Sequence, residues 1–194
     1  MELSEYRIIL ASKSPRRREL LLGIAPRFDI ATAEVDEGLP EGMHPRLGVE
    51  LLAVRKGAPI AAGEPEAIVI SSDTLVELDG IPLGKPRDEA HACRMLRSLS
   101  GRVHNVHTGV AVHYRGAVYS GVDSTSVRFR DMSDGEILEY VRCGEPMDKA
   151  GAYGIQGEGG KFVLGYDGEF DTVMGLSVSL TKRLIEKAVG DKGE

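Results

Sequence analysis

With 194 residues, 42% of them hydrophobic and 28% charged, the chain has the length and balance of one ordinary folded domain, not of a disordered or fibrous polypeptide. Its 24 Lys and Arg against 30 Asp and Glu leave a net charge of -6, which argues against a surface built to follow a nucleic-acid polymer or to coat an anionic membrane. No stretch approaches the ~20 apolar residues of a membrane-spanning helix, and the start MELSEYRIIL lacks the basic region of a secretory leader, so a cytoplasmic protein is expected.

Tyr6 to Ala11 (YRIILA) is a short apolar run of the buried-strand kind. Ser14-Pro15 supplies an N-cap and a first-turn proline for a helix through Leu22, with Gly23 as its C-cap. Such an opening belongs to α/β proteins, where ligands gather at the carboxyl ends of strands. Phe28 to Ala31 reads as a second strand, and Pro45 to Ala62 as a helix weakened by Gly57 and Pro59. Ala67 to Ser72 (AIVISS) is the strongest buried strand and runs straight into Asp73-Thr74 and then Leu75 to Leu78, so that an acid interrupts an otherwise apolar strand before a hairpin turn at Asp79-Gly80. Asp88 caps a helix whose Ala92, Met95, Leu96 and Leu99 share a face, and Gly101 closes it. From Arg102 to Arg130 the period becomes two, predicting long antiparallel strands around Arg115-Gly116, with Thr125, Val127 and Phe129 on one face. Ser133 and Glu136 form a capping box for a helix that stops at Gly144. The glycine-dense stretch from Gly144 to Gly168 is too long for a simple connector and reads as a functional loop. A last amphipathic helix, about Ser177 to Ala188, precedes a solvated tail, and neither repeat nor linker divides the chain.

Four groups of residues suit the chemistry of a small anion. Ser12, Ser14, Arg16, Arg17 and Arg18 surround the first helix N-terminus, where free N–H groups and arginine forks fit phosphate; Arg18 is the one that reads as ordinary surface. Asp73, a carboxylate closing a buried strand, is costly without a metal, a lysine or a catalytic task, and Lys56 and Lys85 are cations that could approach it. Asp36 and Glu37 could join Asp73 in holding Mg²⁺ together with substrate phosphates. Gln156, within GEPMDKAGAYGIQGEGG, offers both a donor and an acceptor to a base edge. Cys93 and Cys143 read as reduced thiols, and His104 and His107 as structural or surface residues of a strand, because no metal-ligand spacing links them. GIPLGKPR lacks the spacing of a phosphate-binding P-loop.

With LASKSPRRREL, VDEG, ISSDTLVELDG, LGKPRDEAHACRMLRSLSGRVHNVHTGVAV and GEPMDKAGAYGIQG in place, the chain closely resembles the Maf family of nucleoside triphosphate pyrophosphatases. The resemblance implies a single domain over residues 1–194 with an elongated mixed β-sheet flanked by helices. That α/β fold is similar to inosine triphosphate pyrophosphatases, with two lobes and a cleft between them. It implies cleavage between the α and β phosphates of a nucleoside triphosphate, with a divalent cation (Mg²⁺ or Mn²⁺), by a homodimer that cleans nucleotide pools. Asp73 would be general base and metal-associated carboxylate, Glu37 the second acid, and Ser12, Arg17, Lys56 and Lys85 the phosphate-binding residues. Arg16, Thr74 and Gln156 match the subgroup acting on dTTP and UTP. A nucleotide-binding regulator of septum formation without catalysis is the alternative; it would not need Asp73 and Glu37 together.

Overall fold

The computed structural model describes residues 3–190; the predicted tail beyond them lies outside that range. Its seven strands form one mixed sheet with helices, the α/β class the sequence predicts. The order is β2 (Asp29–Ile30), β1 (Ile8–Leu10), β3 (Ile68–Leu78), β5 (Val103–Tyr114), β6 (Ala117–Phe129) and β7 (Val163–Asp167), with β4 (Ile81–Leu83) also paired to β3. β1 runs parallel to β2 and β3, while β4 is antiparallel to β3 and β7 to β6. Among the described residues no helix is long and apolar enough to cross a membrane. The chain divides into two compact units, and β3, β5 and β6 each contribute residues to both.

The first unit holds the chain through Asp73, Thr108–Asp123 and the segment from Gly175 on. Here the sheet is covered on both faces, so its strands read as unbroken apolar runs instead of alternating ones. Ile8, Leu10, Ile68 and Ile70 pack with Leu21 of α1 (Pro15–Leu22) and with Leu180, Leu184 and Ile185 of α6 (Val178–Gly190). Ile9 and Val69 face Ile60 and Ala61 of α2 (Pro45–Gly63). The Ser14 hydroxyl accepts from the Arg17 N–H and Pro15 opens α1 as predicted, but the C-cap Gly23 is right-handed (φ -73°), so its glycine is not required there. α2 continues past Pro59 to Gly63, since Pro59 is exposed and the turn beyond it still packs Ile60 and Ala61 on the sheet.

The second unit comprises Thr74–His107 and Ser124–Met174. Its core joins Val76, Val106, Val127 and Phe129 of the strands to Leu96 and Leu99 of α3 (Glu89–Leu99) and Ile137 and Tyr140 of α4 (Asp134–Arg142). Both α3 and α4 start as predicted, at Asp88 and at the Ser133–Glu136 capping box. Asp79 and Gly80 both take positive φ (53° and 79°), as a tight hairpin between β3 and β4 demands. The stretch from Gly144 to Gly168 departs from the expected loop. It folds into 3-10 segments at Glu145–Asp148, Ala150–Ala152 and Glu158–Phe162, then β7, with α5 (Phe170–Met174) just beyond.

Candidate active site

Asp73 lies within the eleven-residue β3, interrupting the apolar strand as expected and not closing it. The strand continues because Val76 to Leu78 pair with β4 across the hairpin turn expected at Asp79-Gly80. The Asp73 side chain is nevertheless partnered, as a carboxylate flanked by the fully buried Ser72 must be. Lys56 Nζ donates to its Oδ1 at 2.5 Å and lies 2.9 Å from Glu37 Oε1, so one ammonium joins the two acids.

Each member of this trio is placed by a specific contact. Lys56 lies on α2, which the Ser71 hydroxyl ties to β3 by donating to the Ala53 carbonyl at 2.6 Å. A Cβ at Gly109 of β5 would sit 2.3 Å from the Val49 carbonyl oxygen, so the helix rests directly on strand backbone. Glu37 belongs to an irregular loop that Arg55 grips through the Gly38 carbonyl at 2.7 Å. Adjacent residues of one helix therefore hold that loop, Arg55 by its backbone and Lys56 by its carboxylate. Of the two neighbouring acids only Glu37 joins Asp73; the Asp36 carboxylate accepts from the Gly38 N–H at 2.8 Å and shapes the loop.

Arg17 turns inward from the first turn of α1. Its Nε donates to the Gly175 carbonyl (2.9 Å) and its Nη1 to the Ser72 carbonyl (2.8 Å) and the Ser12 hydroxyl (3.4 Å). Ser12 Oγ also accepts from the Ser14 N–H at 3.2 Å. Burial pushes the Arg17 guanidinium below its ordinary value; the charges of Asp73 and Glu37 act against this and that of Arg16 adds to it. Arg16 is half-buried, while Arg18 is exposed in keeping with an ordinary surface role. Thus Ser12, Arg17, Glu37, Lys56 and Asp73 come together in the first unit.

Thr74, Lys85 and Gln156 belong to the second unit. Thr74 is half-buried on β3, Lys85 exposed after β4, and Gln156 exposed between two 3-10 segments. His104 and His107 are buried and structural: His104 Nε2 is hydrogen-bonded to the Tyr153 hydroxyl (2.8 Å), and His107 lies between Ser124 Oγ and Glu77 Oε2 (2.7 Å each). Cys93 and Cys143 are both free thiols, the first buried and the second exposed.

Chemically, the trio presents two carboxylates to a common point, with cations beside them. Hard oxygen donors of this kind suit Mg²⁺ or Mn²⁺. Among the described residues no group of three or more His, Cys, Asp and Glu could hold a metal ion, and Asp73 and Glu37 are two oxygen donors meeting at one ammonium.

The family model described as Maf-like protein matches residues 7–188. A dTTP/UTP pyrophosphatase of Vibrio cholerae is 46% identical over 184 residues, covering 93% of this chain and 97% of the relative. Proteins of the same description from Moorella thermoacetica (45% identical; 92% and 93% covered) and Bacillus velezensis (43%; 93% and 96%) are similar over the same span. Among solved structures, the Staphylococcus aureus Ham1 protein aligns with a TM-score of 0.45 at 18% identity, over 64% of this chain and 72% of that one.

Proposed function

This chain belongs to the Maf family, and from that premise we propose that it is a nucleoside triphosphate pyrophosphatase that hydrolyses dTTP and UTP to the nucleoside monophosphate and pyrophosphate. The observation that carries the reading is the single ammonium of Lys56 joining Asp73 to Glu37. A non-catalytic nucleotide-binding regulator needs cations for phosphate but has no use for two acids brought to the place where the phosphates would lie.

In this reading Asp73 orients a water molecule and takes its proton as the water oxygen attacks the α-phosphorus. The bond from that phosphorus to the bridging oxygen breaks, and pyrophosphate leaves. Lys56 and Lys85 offset the charge of the polyphosphate, and Ser12 and Arg17 shape the turn that receives it. Asp73 and Glu37 would hold a divalent cation, Mg²⁺ or Mn²⁺, which when bound neutralises phosphate charge. Arg16, Thr74 and Gln156 select the pyrimidine base. A cytoplasmic homodimer acting on free nucleotides, not on nucleic-acid polymers or membranes, completes the proposal; the net charge of -6 argues against the polymeric partners.

The test is pyrophosphate release from a panel of nucleoside triphosphates with Mg²⁺ or Mn²⁺, for the wild type and Asp73→Asn. The wild type should favour dTTP and UTP, and the variant should lose about 10²–10⁴ in kcat, the range of a positioned general base. Nucleotide binding without turnover in the wild type would favour the regulator instead.

A further inference from the structure

The glycine-dense segment around Gln156 is wired, not loose, and its wiring converges on one carboxylate. Glu145 follows the positive-φ Gly144 (81°) at the start of the first 3-10 segment. The Tyr140 hydroxyl, almost fully buried at the end of α4, donates to Glu145 Oε1 at 2.8 Å and accepts from the Gly154 N–H at 3.1 Å. The Glu145 carboxylate also accepts from the Glu158 N–H (2.9 Å) and the Gly159 N–H (3.2 Å). Backbone donors on both sides of Gln156, two residues before it and two and three after it, are thereby fixed by the Tyr140–Glu145 pair.

The glycines record how tightly the chain wraps that pair. A Cβ at Gly157 would sit 2.3 Å from Glu145 Oε2, and one at Gly159 2.5 Å from the Tyr140 oxygen. Only glycine lets the backbone approach so closely, so these residues serve packing and not mobility. Although burial alone would raise the Glu145 carboxyl, the Tyr140 hydroxyl, the two N–H donors and Lys149 hold it below the usual carboxylate range. Gln156 itself remains exposed on this rigid turn.

We propose that Glu145 is a positioning residue for base selection: with Tyr140 it fixes the turn that presents the Gln156 amide to the pyrimidine edge. An amide that reads a base by a donor and an acceptor discriminates only if its orientation is set in advance, because a freely turning amide can satisfy several base edges equally well. Glu145 acts through the loop and makes no contact with the nucleotide. The inference rests on the assignment of Gln156 to base selection made above.

The experiment compares wild type, Glu145→Gln, Tyr140→Phe and Gln156→Ala, each confirmed folded by circular dichroism. It measures kcat and KM for dTTP, UTP and dCTP, and amide exchange of residues 154–159. In Glu145→Gln the new NH₂ faces N–H or O–H donors. KM for dTTP and UTP should rise about tenfold, the scale of one charge-assisted hydrogen bond, while kcat stays within about twofold. Preference over dCTP should fall and exchange at 157–159 should accelerate, with Tyr140→Phe showing the same pattern more weakly. If Gln156→Ala shifts the preference while Glu145→Gln and Tyr140→Phe leave KM, preference and exchange unchanged, the inference is overturned. If Gln156→Ala leaves the preference intact, it is the assignment of Gln156 that fails.

Discussion

Gly57 of α2 packs so closely on His113 of β5 that a Cβ on the glycine would lie 2.5 Å from both Cδ2 and Nε2 of the imidazole and 2.6 Å from Ser71 Oγ. His113 is itself buried, and burial lowers its pKa below the usual imidazole value, so the ring is a neutral packing surface near pH 7. Lys56 is the preceding residue on the helix, and its 2.5 Å approach to Asp73 depends on how near α2 lies to the sheet.

Gly57→Ala should therefore act on chemistry as well as on stability. A methyl forced into this contact costs about 1–3 kcal/mol by overpacking, and lifting the helix lengthens the Lys56–Asp73 contact. Chemical denaturation should report the first effect and a several-fold fall in kcat the second. Unchanged turnover in a destabilised variant would show that Lys56 reaches Asp73 independently of this packing.

Arg17→Lys should be far from conservative. The guanidinium spans two carbonyls, Ser72 next to Asp73 and Gly175 ahead of α6, and a lysine presents one point charge where a fork is needed. Loss of one of two buried carbonyl contacts should cost about 1–3 kcal/mol. The midpoint of thermal unfolding should fall and KM for nucleotide should rise together; a change in KM alone would mean that Arg17 serves the ligand without supporting the fold.

The elements that could be read from the sequence are those whose burial leaves a regular pattern. β1 and the opening Ile68 to Ile70 of β3 are apolar because helices cover both faces, and β6 alternates from Thr125 to Phe129 because one face stays open. β4, implied only by the Asp79-Gly80 turn, and α5 show no pattern of their own because three and five residues are too few to show a period. At the site, Asp73, Glu37 and Lys56 stood out by residue type, but nothing local distinguishes Glu37 from Asp36; the Gly38 N–H that captures Asp36 decides it. Glu145 was invisible for the same reason: Gly-Glu-Pro reads as a turn until the fold brings Tyr140 and the N–H groups of Glu158 and Gly159 to its carboxylate.

Acid stability should carry the signature of His104. Its ring is almost wholly buried between Phe129 and Tyr153, and burial lowers its pKa to about 4. The unfolded chain binds this proton near pH 6.5 and the folded one only near 4, so below pH 6.5 protonation favours unfolding. The stability it contributes is complete above pH 6.5 and declines as pH falls toward 4, by up to roughly 1.4 kcal/mol per pH unit. His104→Gln should flatten that part of the stability–pH curve; an equally steep decline would assign the acid sensitivity to other groups.

Glu77 and His107 offer a test of what buried polar pairs cost this fold. The carboxylate is 8% exposed and the imidazole 4%; they meet at 2.7 Å, with Ser124 on the other ring nitrogen and the Gly80 N–H on the other carboxylate oxygen. Removing one partner takes a strong hydrogen bond from the other in a buried site, whereas replacing both with apolar groups removes the two polar groups together. His107→Leu should therefore cost about 3–5 kcal/mol, and the double variant Glu77→Leu/His107→Leu should recover most of that loss. Urea denaturation of the two singles and the double closes the cycle. If the double is as unstable as the sum of the singles, the two groups are held by their other neighbours and not chiefly by each other.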